Sequence, residues 1–402
     1  MSDASVTVTG ASSKTVTIKF PSAVQAAIAQ QLANTINASV AAGTLTPTNA
    51  VGFGAPAGST PVELIVNNSG MVLLNASDKA VVVDAARSVN LLGAGVSNQS
   101  VIAGSGGLTY LTDGGSGTIV AAGGANRIVT SADNSAGWYV STGAGNDTIA
   151  SLTGNDSLSA GLGHNEVILG SGANLVDVFG HDTILAGTGA ETVAVESGGS
   201  AVVFGASSTL LFLGGNLADT VDGGAGSATI FGGVKGGEYI GGSAGNNLIY
   251  ASGTITGGGN GDQLYATGSV ASQIHAGSGN ESLSSALSYG ADTLFAGSGS
   301  DTITLGASHN TVVAGTGVAT IFGGVAPAVY EFIKGSAGGN DLISGFDAGD
   351  TVKLVGYDRN EITNALNNAR TTAGGTTITL SDTTKITFAD VSNLDKTHFT
   401  GC

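Results

Sequence analysis

Four stretches of this chain set an acidic or amide side chain just after a glycine-rich turn. Residues 142–150 read TGAGNDTIA, 151–159 SLTGNDSLS, 160–168 AGLGHNEVI and 296–304 AGSGSDTIT. Their sixth positions are Asp147, Asp156, Asn165 and Asp301. Carboxylate and amide oxygens placed there cap turn N–H groups or act as ligands, which is not the equipment of covalent catalysis. Catalytic signatures are missing. No HExxH pair or Walker A sequence occurs. The five histidines, His164, His181, His275, His309 and His398, are scattered. One GxSxG match, Gly241–Gly245, sits in a glycine-rich turn and not at a strand–elbow–helix junction. No segment outside the repeats is long enough for a separate catalytic domain. The expectation is a non-enzyme.

Those oxygens need elements to hold them, and a pulse along the chain supplies them. Short apolar β-formers recur about every nine residues, from Leu73 through Val82, Leu91, Ile102, Tyr110, Ile119, Ile128 and Val140. The pulse continues at Ile149, Leu158, Val167, Val176, Ile184, Val193, Val202, Leu211, Val221 and Ile230. After irregular steps near Ile240 and Leu264 it resumes at Ile274, Leu283, Leu294, Ile303, Val312 and Ile321. Gly, Asn, Asp and Ser between the pulses suit tight turns. Each unit is therefore a turn of about six residues and a strand of about three, too short to stand alone. Two units make a coil of about 18 residues with a strand on each side. Residues 62–323 hold roughly 14 such coils, a rod of roughly 70 Å at ~4.8 Å per coil. The fold class predicted is all-β: a parallel β-roll or β-helix solenoid with a small α/β N-terminal cap.

Composition agrees. Of 402 residues 67 are Gly, ~17% against an ordinary ~7%. Hydrophobics at 42% and charged residues at 10% exclude an acidic disordered chain. Five prolines and no three-residue glycine period exclude collagen. A net charge of -17 opposes phosphate backbones, so no nucleic-acid partner is expected. No apolar run reaches the ~18 residues of a transmembrane helix. The start, MSDASVTVTG, has neither the basic nor the apolar region of a secretory signal. The single cysteine, Cys402, forbids an intrachain disulfide and reads as a tail residue or an intermolecular crosslink.

The four glycine-rich units, three with Asp and one with Asn at the sixth position, resemble the GGxGxDxUx nonapeptide of RTX (repeats-in-toxin) proteins, whose β-roll binds calcium. The resemblance implies Ca²⁺ as cofactor, held by turn carbonyls such as those of Gly143 and Gly145 and by sixth-position side chains. Turns one coil apart share an edge, which pairs Asp147 with Asn165, Asp156 with Asn174, Asp292 with Asn310, and Glu281 with Asp301. Ser200, Ala228 and Ala319 weaken the pattern, so calcium is expected at a few edges only. GGNDLISGFDAGDTVKL (338–354) looks like the run that closes RTX cargo of type I secretion. There Asp341, Asp347 and Asp350 supply oxygens, and Phe346 and Leu354 act as core anchors. Residues 374–394 read as a β-hairpin. Such proteins carry a C-terminal export signal, which implies the type I machinery as partner and an extracellular or bacterial cell-surface location.

Three regions follow: 1–60, 61–335 solenoid, and 336–402 C-terminal secretion segment. In the first, Val6–Thr9 and Thr15–Phe20 alternate as a hairpin. A helix runs from Pro21, with Val24, Ile28, Leu32 and Ile36 on one stripe and a stop at Gly43. Polar sequence with Pro47, Pro56 and Pro61 then leads to the repeats. This piece reads either as a cap over the solenoid's open end or as an element that docks on the next molecule. Phe212, Phe231, Tyr250, Tyr265, Phe295 and Phe322 are expected to form an outward aromatic column. The favoured function is a secreted solenoid that self-assembles into a filament, S-layer or biofilm matrix, a homo-oligomer or polymer. A monomeric adhesin, with cell surface or polysaccharide as partner, is the alternative. An ice-binding roll fits less well, because the AGTG pair at 186–189 and 314–317 does not extend into a regular Thr row.

Overall fold

The computed structural model describes residues 4–51, 60–132, 136–205 and 209–401. The expectations for Pro56 and Cys402 lie outside the described residues. The chain divides into two compact units, Met1–Ser208 and Thr209–Cys402. Each is a parallel β-solenoid.

In the first unit, short strands stack into two parallel ladders. The first ladder includes Val62–Val66, Asp78–Val83, Gln99–Ala103, Gly117–Gly123, Trp138–Ala144, Ser157–Ala160 and Ala173–Val178. Its rungs are in register: Ile119, Val140, Leu158, Val176 and Val193 stand opposite one another in turn. The second ladder stacks Tyr110, Ile128, Ile149, Val167, Ile184 and Val203 in the same way. All of these side chains are buried, so each contributes roughly 1.5–3 kcal/mol by leaving water. Alternate residues point outward, as a period of two requires.

The second unit repeats the plan. Phe212, Ile230, Ile249, Leu264, Leu283, Ile303, Ile321 and Ile343 stack along one ladder. Val221, Tyr239, Ile255, Ile274, Leu294, Val312, Tyr330 and Val352 stack along the other. Stacking continues past residue 335: Asn340–Ser344 and Thr351–Val355 are further rungs, with Phe346 and Leu354 buried. The hairpin expected at 374–394 is formed by Gly375–Thr379 and Lys385–Ala389, and its second strand also pairs parallel with Asn340–Ser344.

Six inward assignments shift by one residue. Val81 and Val101 take the inward places of Val82 and Ile102. Leu73 is exposed and Val72 is buried in its place, and Val203 replaces Val202. Leu210 and Phe212 replace Leu211, and Tyr239 replaces Ile240. Phe212 therefore leaves the outward aromatic column. In each case adjacent apolar residues conceal the alternation.

The N-terminal hairpin forms as β1 (Ala4–Thr9) against β2 (Thr15–Phe20), antiparallel. Helix α1 (Ala23–Ala41) is capped by Ser22, whose hydroxyl accepts from the Gln25 N–H at 3.4 Å. Pro21 therefore precedes the cap and is not in the first turn. Gly43, at φ +73°, ends the helix just after Ala42. The buried face of α1 is Gln25, Ala26, Ala29, Ala33 and Ile36, while Val24 is exposed. Alanines win over the predicted stripe because they let the helix lie close to the sheet. Hairpin and helix pack with Ile65, Val82, Ile102 and Val120, which face outward from the first ladder. They cover the flank of the early rungs rather than the open end, where β3 (Thr46–Asn49) pairs with Val62–Val66.

Candidate metal centre

The sixth-position side chains form columns along the edges where turns enter strands. In the first unit Asn126 N–H donates to Asp147 Oδ1 at 2.8 Å, and Asp147 N–H donates to Asn165 Oδ1 at 2.9 Å. Asn165 N–H continues to Asp182 Oδ1 at 3.2 Å. On the other edge Trp138 N–H donates to Asp156 Oδ1 at 2.6 Å, and Asp156 N–H to Asn174 Oδ1 at 3.1 Å. The second unit repeats the relation between Glu281 and Asp301 at 3.0 Å, and between Asp292 and Asn310 at 3.0 Å. Asp341 Oδ1 accepts from Ala319 N–H, and Asp350 Oδ1 from Ala328 N–H, each at 2.8 Å. All four residue pairs expected from the repeat are thus brought together, each by a backbone-to-side-chain hydrogen bond.

One oxygen of each accepting carboxylate is spent this way, and the other divides the residues into two groups. Asp156 Oδ2 accepts from Ser151 Oγ, Asp301 Oδ2 from Gly297 N–H, and Asp350 Oδ2 from Asp347 N–H. Asp347 is exposed and caps its own turn through Gly349 N–H at 2.7 Å. By contrast, the second oxygens of Asp147, Asp182, Asp292 and Asp341 are buried without a hydrogen bond, as are both carboxyl oxygens of Glu281. Burial pushes Asp182 and Asp341 up to about 7. It does the same to Glu281, with the Asp301 carboxyl beside it adding to the rise. A buried carboxylate with an orphaned oxygen demands a cation or a proton.

Asp182 was not singled out from the sequence. Its signal is the HDTI of residues 181–184, which matches NDTI at 146–149, but the coil from Asn165 is 17 residues long instead of 18. Asn126, Asn247 and Asp262 were missed for the same reason. Asn247 N–H donates to Asp262 Oδ1 at 2.8 Å across a step of 15 residues.

The glycine turns lie directly on one another. A methyl group on Gly161 would meet the Gly143 carbonyl oxygen at 2.0 Å, and one on Gly163 would meet that of Gly145 at 1.9 Å. Glycine is thus required here by the spacing of the rungs, and the carbonyls of Gly143 and Gly145 lie at the stacked turns beside the column. Among the described residues no three His, Cys, Asp or Glu side chains converge on a point. A calcium ion, which takes 6–8 oxygens, would complete its shell from carbonyl and amide oxygens.

Residues 141–176 and 288–321 match the family model of the RTX calcium-binding nonapeptide repeat, in four copies. This chain carries RTX repeats on a β-roll. Calcium is the ion that RTX repeats bind, and the orphaned carboxylate oxygens of this chain fit a hard cation. No curated protein and no solved structure matches the chain. The first RTX segment contains Asp147, Asp156, Asn165 and Asn174, and the second Asp292, Asp301 and Asn310. Asp182 and Asp341 continue the RTX columns beyond those segments by the same backbone hydrogen bond. In the RTX columns Asp147, Asp182, Asp292, Asp341 and Glu281 would hold the ion, which supplies the positive charge that buried oxygens lack. Among the described residues no helix is long and apolar enough to cross a membrane.

Proposed function

We propose that this RTX solenoid is a secreted, non-enzymatic protein that folds on calcium and self-assembles into a bacterial surface or extracellular structure. A filament, S-layer or biofilm matrix fits this reading, with the type I machinery as exporter. The observation that carries the assembly step is an apolar strip on the outer face of the second unit. Leu213, Phe231, Tyr250 and Tyr265 lie opposite one another on successive rungs. The Phe231 and Tyr250 rings stack at 5.7 Å and 6°, and those of Tyr250 and Tyr265 at 4.4 Å and 5°. Phe231 remains 42% exposed and Leu213 39%. In the first unit the equivalent outer face is covered by the N-terminal hairpin and helix, whereas among the described residues no segment covers this strip. Because the rings face each other, they offer edges outward, which suits a flat protein partner better than a sugar ring. A net charge of -17 opposes such packing until calcium offsets it.

Electron microscopy of the purified protein, with calcium and with a chelator, tests the reading. Filaments or sheets with calcium, reduced by Phe231→Asp without loss of fold, support it. Dispersed particles under both conditions would return the chain to the adhesin class.

A further inference from the structure

Where the start of α1 leaves the flank of the first unit, a groove of about 330 Å³ opens between helix and ladder, within the size range of small-molecule sites. Its walls are apolar: Val24 and Ile28 from the helix, Leu162 and Phe179 from the turns opposite. Val24 and Leu162 are each more than 60% exposed (64% and 63%), an unusual state for aliphatic side chains beside a concavity. Polar groups also line its floor. Gln25, 3% exposed, donates its Nε2 to the carbonyls of Ala121 at 2.8 Å and Ser141 at 3.3 Å. That fixes the amide and leaves Oε1 buried with no donor. Asp177 stands opposite Ser159 on the neighbouring rung and also lines the groove. Burial, and then the Glu196 charge, holds its carboxyl above the ordinary range. Among the described residues no Lys, Arg or His lines the groove.

A carboxylate without a basic partner beside apolar walls defines the missing complement: an apolar body with a positively charged head. We propose that this groove binds a small amphipathic amine, its head directed to Asp177 and its body against Val24, Ile28, Leu162 and Phe179. The assignment is independent of self-assembly, and the side chains it relies on lie outside the metal columns, although Gly143 and Gly161 of the turns beside those columns also line the groove.

The test is calorimetric or NMR titration of the full-length, calcium-loaded protein with 2-phenylethylamine and with 3-phenylpropanoate, similar in size and opposite in charge. The expected result is saturable one-to-one binding of the amine with Kd of about 1 mM, as suits a ligand of this size, and at least ~10-fold weaker binding of the acid. Asp177→Asn should weaken the amine ~5- to 10-fold, and Leu162→Trp, which fills the groove from an exposed position, should abolish binding. No saturation by the amine up to ~20 mM, equal binding of the acid, or full affinity in a natively folded Leu162→Trp protein would each overturn the proposal. Should Asp177→Asn fail to fold, the comparison of the two probes on the unaltered protein decides.

Discussion

Asp182 takes two hydrogen bonds from Asn165 through a single oxygen. The backbone N–H reaches Oδ1 at 3.2 Å and the side-chain Nδ2 reaches the same Oδ1 at 2.8 Å, while Oδ2 receives none. A column built in this way is satisfied on one side and hungry on the other. Where Asn165 or Asn126 occupies the column the charge is absent, so the carboxylates are the positions that a calcium ion would address.

Asp182→Asn separates the two roles. An amide keeps the Oδ1 acceptor for Asn165 and removes the buried charge. In chelator at pH 8 the variant should equal or exceed the parent in stability by about 1 kcal/mol, and its gain on adding calcium should shrink by about 1–3 kcal/mol. Urea midpoints with and without calcium measure both. A larger calcium gain in the variant would reverse the assignment.

Acidity sets a second expectation. The carboxyls of Asp182 and Asp341, ordinarily near 3.8, are raised to about 7 in the fold by burial. Between those values the native chain binds more protons than the unfolded one, so metal-free stability is greatest below about pH 4 and falls as pH rises through about 7. Calcium replaces the protons and should flatten that slope, with proton release on binding. Urea midpoints at pH 5 and pH 8, each with calcium and with chelator, check the sign. A metal-free protein that gains stability across this window would contradict it.

Two glycine substitutions should differ in kind. Gly163 lies at φ +134°, and a Cβ there would strike the Gly145 carbonyl oxygen at 1.9 Å. Gly198 lies at φ +95° with no atom within 4 Å of a Cβ. Gly198→Ala should cost about 1–2 kcal/mol from backbone strain alone. Gly163→Ala adds overpacking against backbone that cannot retreat, about 1–3 kcal/mol more. Thermal unfolding of both variants in saturating calcium makes the comparison, and equal losses would mean that the rungs can part to admit a methyl group.

The stacked rings give a fourth expectation. Tyr250 touches a ring on each side, at 5.7 Å and 4.4 Å, so Tyr250→Ala removes two stacking contacts. The expected loss is about 1–3 kcal/mol. Phe322→Ala, whose side chain is 46% exposed and stacks on no ring, should cost less than ~1 kcal/mol. Parity between the two by urea unfolding would remove the aromatic ladder as a source of stability.

The solenoid was legible in the sequence because isolated apolar residues such as Ile149, Leu158 and Ile303 sit among small and polar residues, and only one phase buries them. The phase was lost at Val202–Val203 and Tyr239–Ile240, where neighbours are equally apolar and alternation carries no information. Asp147 and its column partner Asn165 were readable from a constant step of 18, whereas Asp182 fell one residue out of frame. What periodicity could not convey is which oxygens remain orphaned. That depends on neighbours such as Ser151, whose hydroxyl satisfies Asp156. The alanine face of α1 escaped a search for large side chains, because close approach selects small ones.

The column bonds all run one way: Asn126 gives to Asp147, Asp147 to Asn165, and Asn165 to Asp182. Each donor therefore finds its acceptor only in the rung that follows it in the chain. The neighbouring fifth-position amides run the other way, His164 N–H giving to Asn146 Oδ1 and Ala173 N–H to Asn155 Oδ1. Adjacent rungs are therefore cross-linked in both senses, and parting two of them anywhere along these turns strands donors and acceptors on both faces of the break.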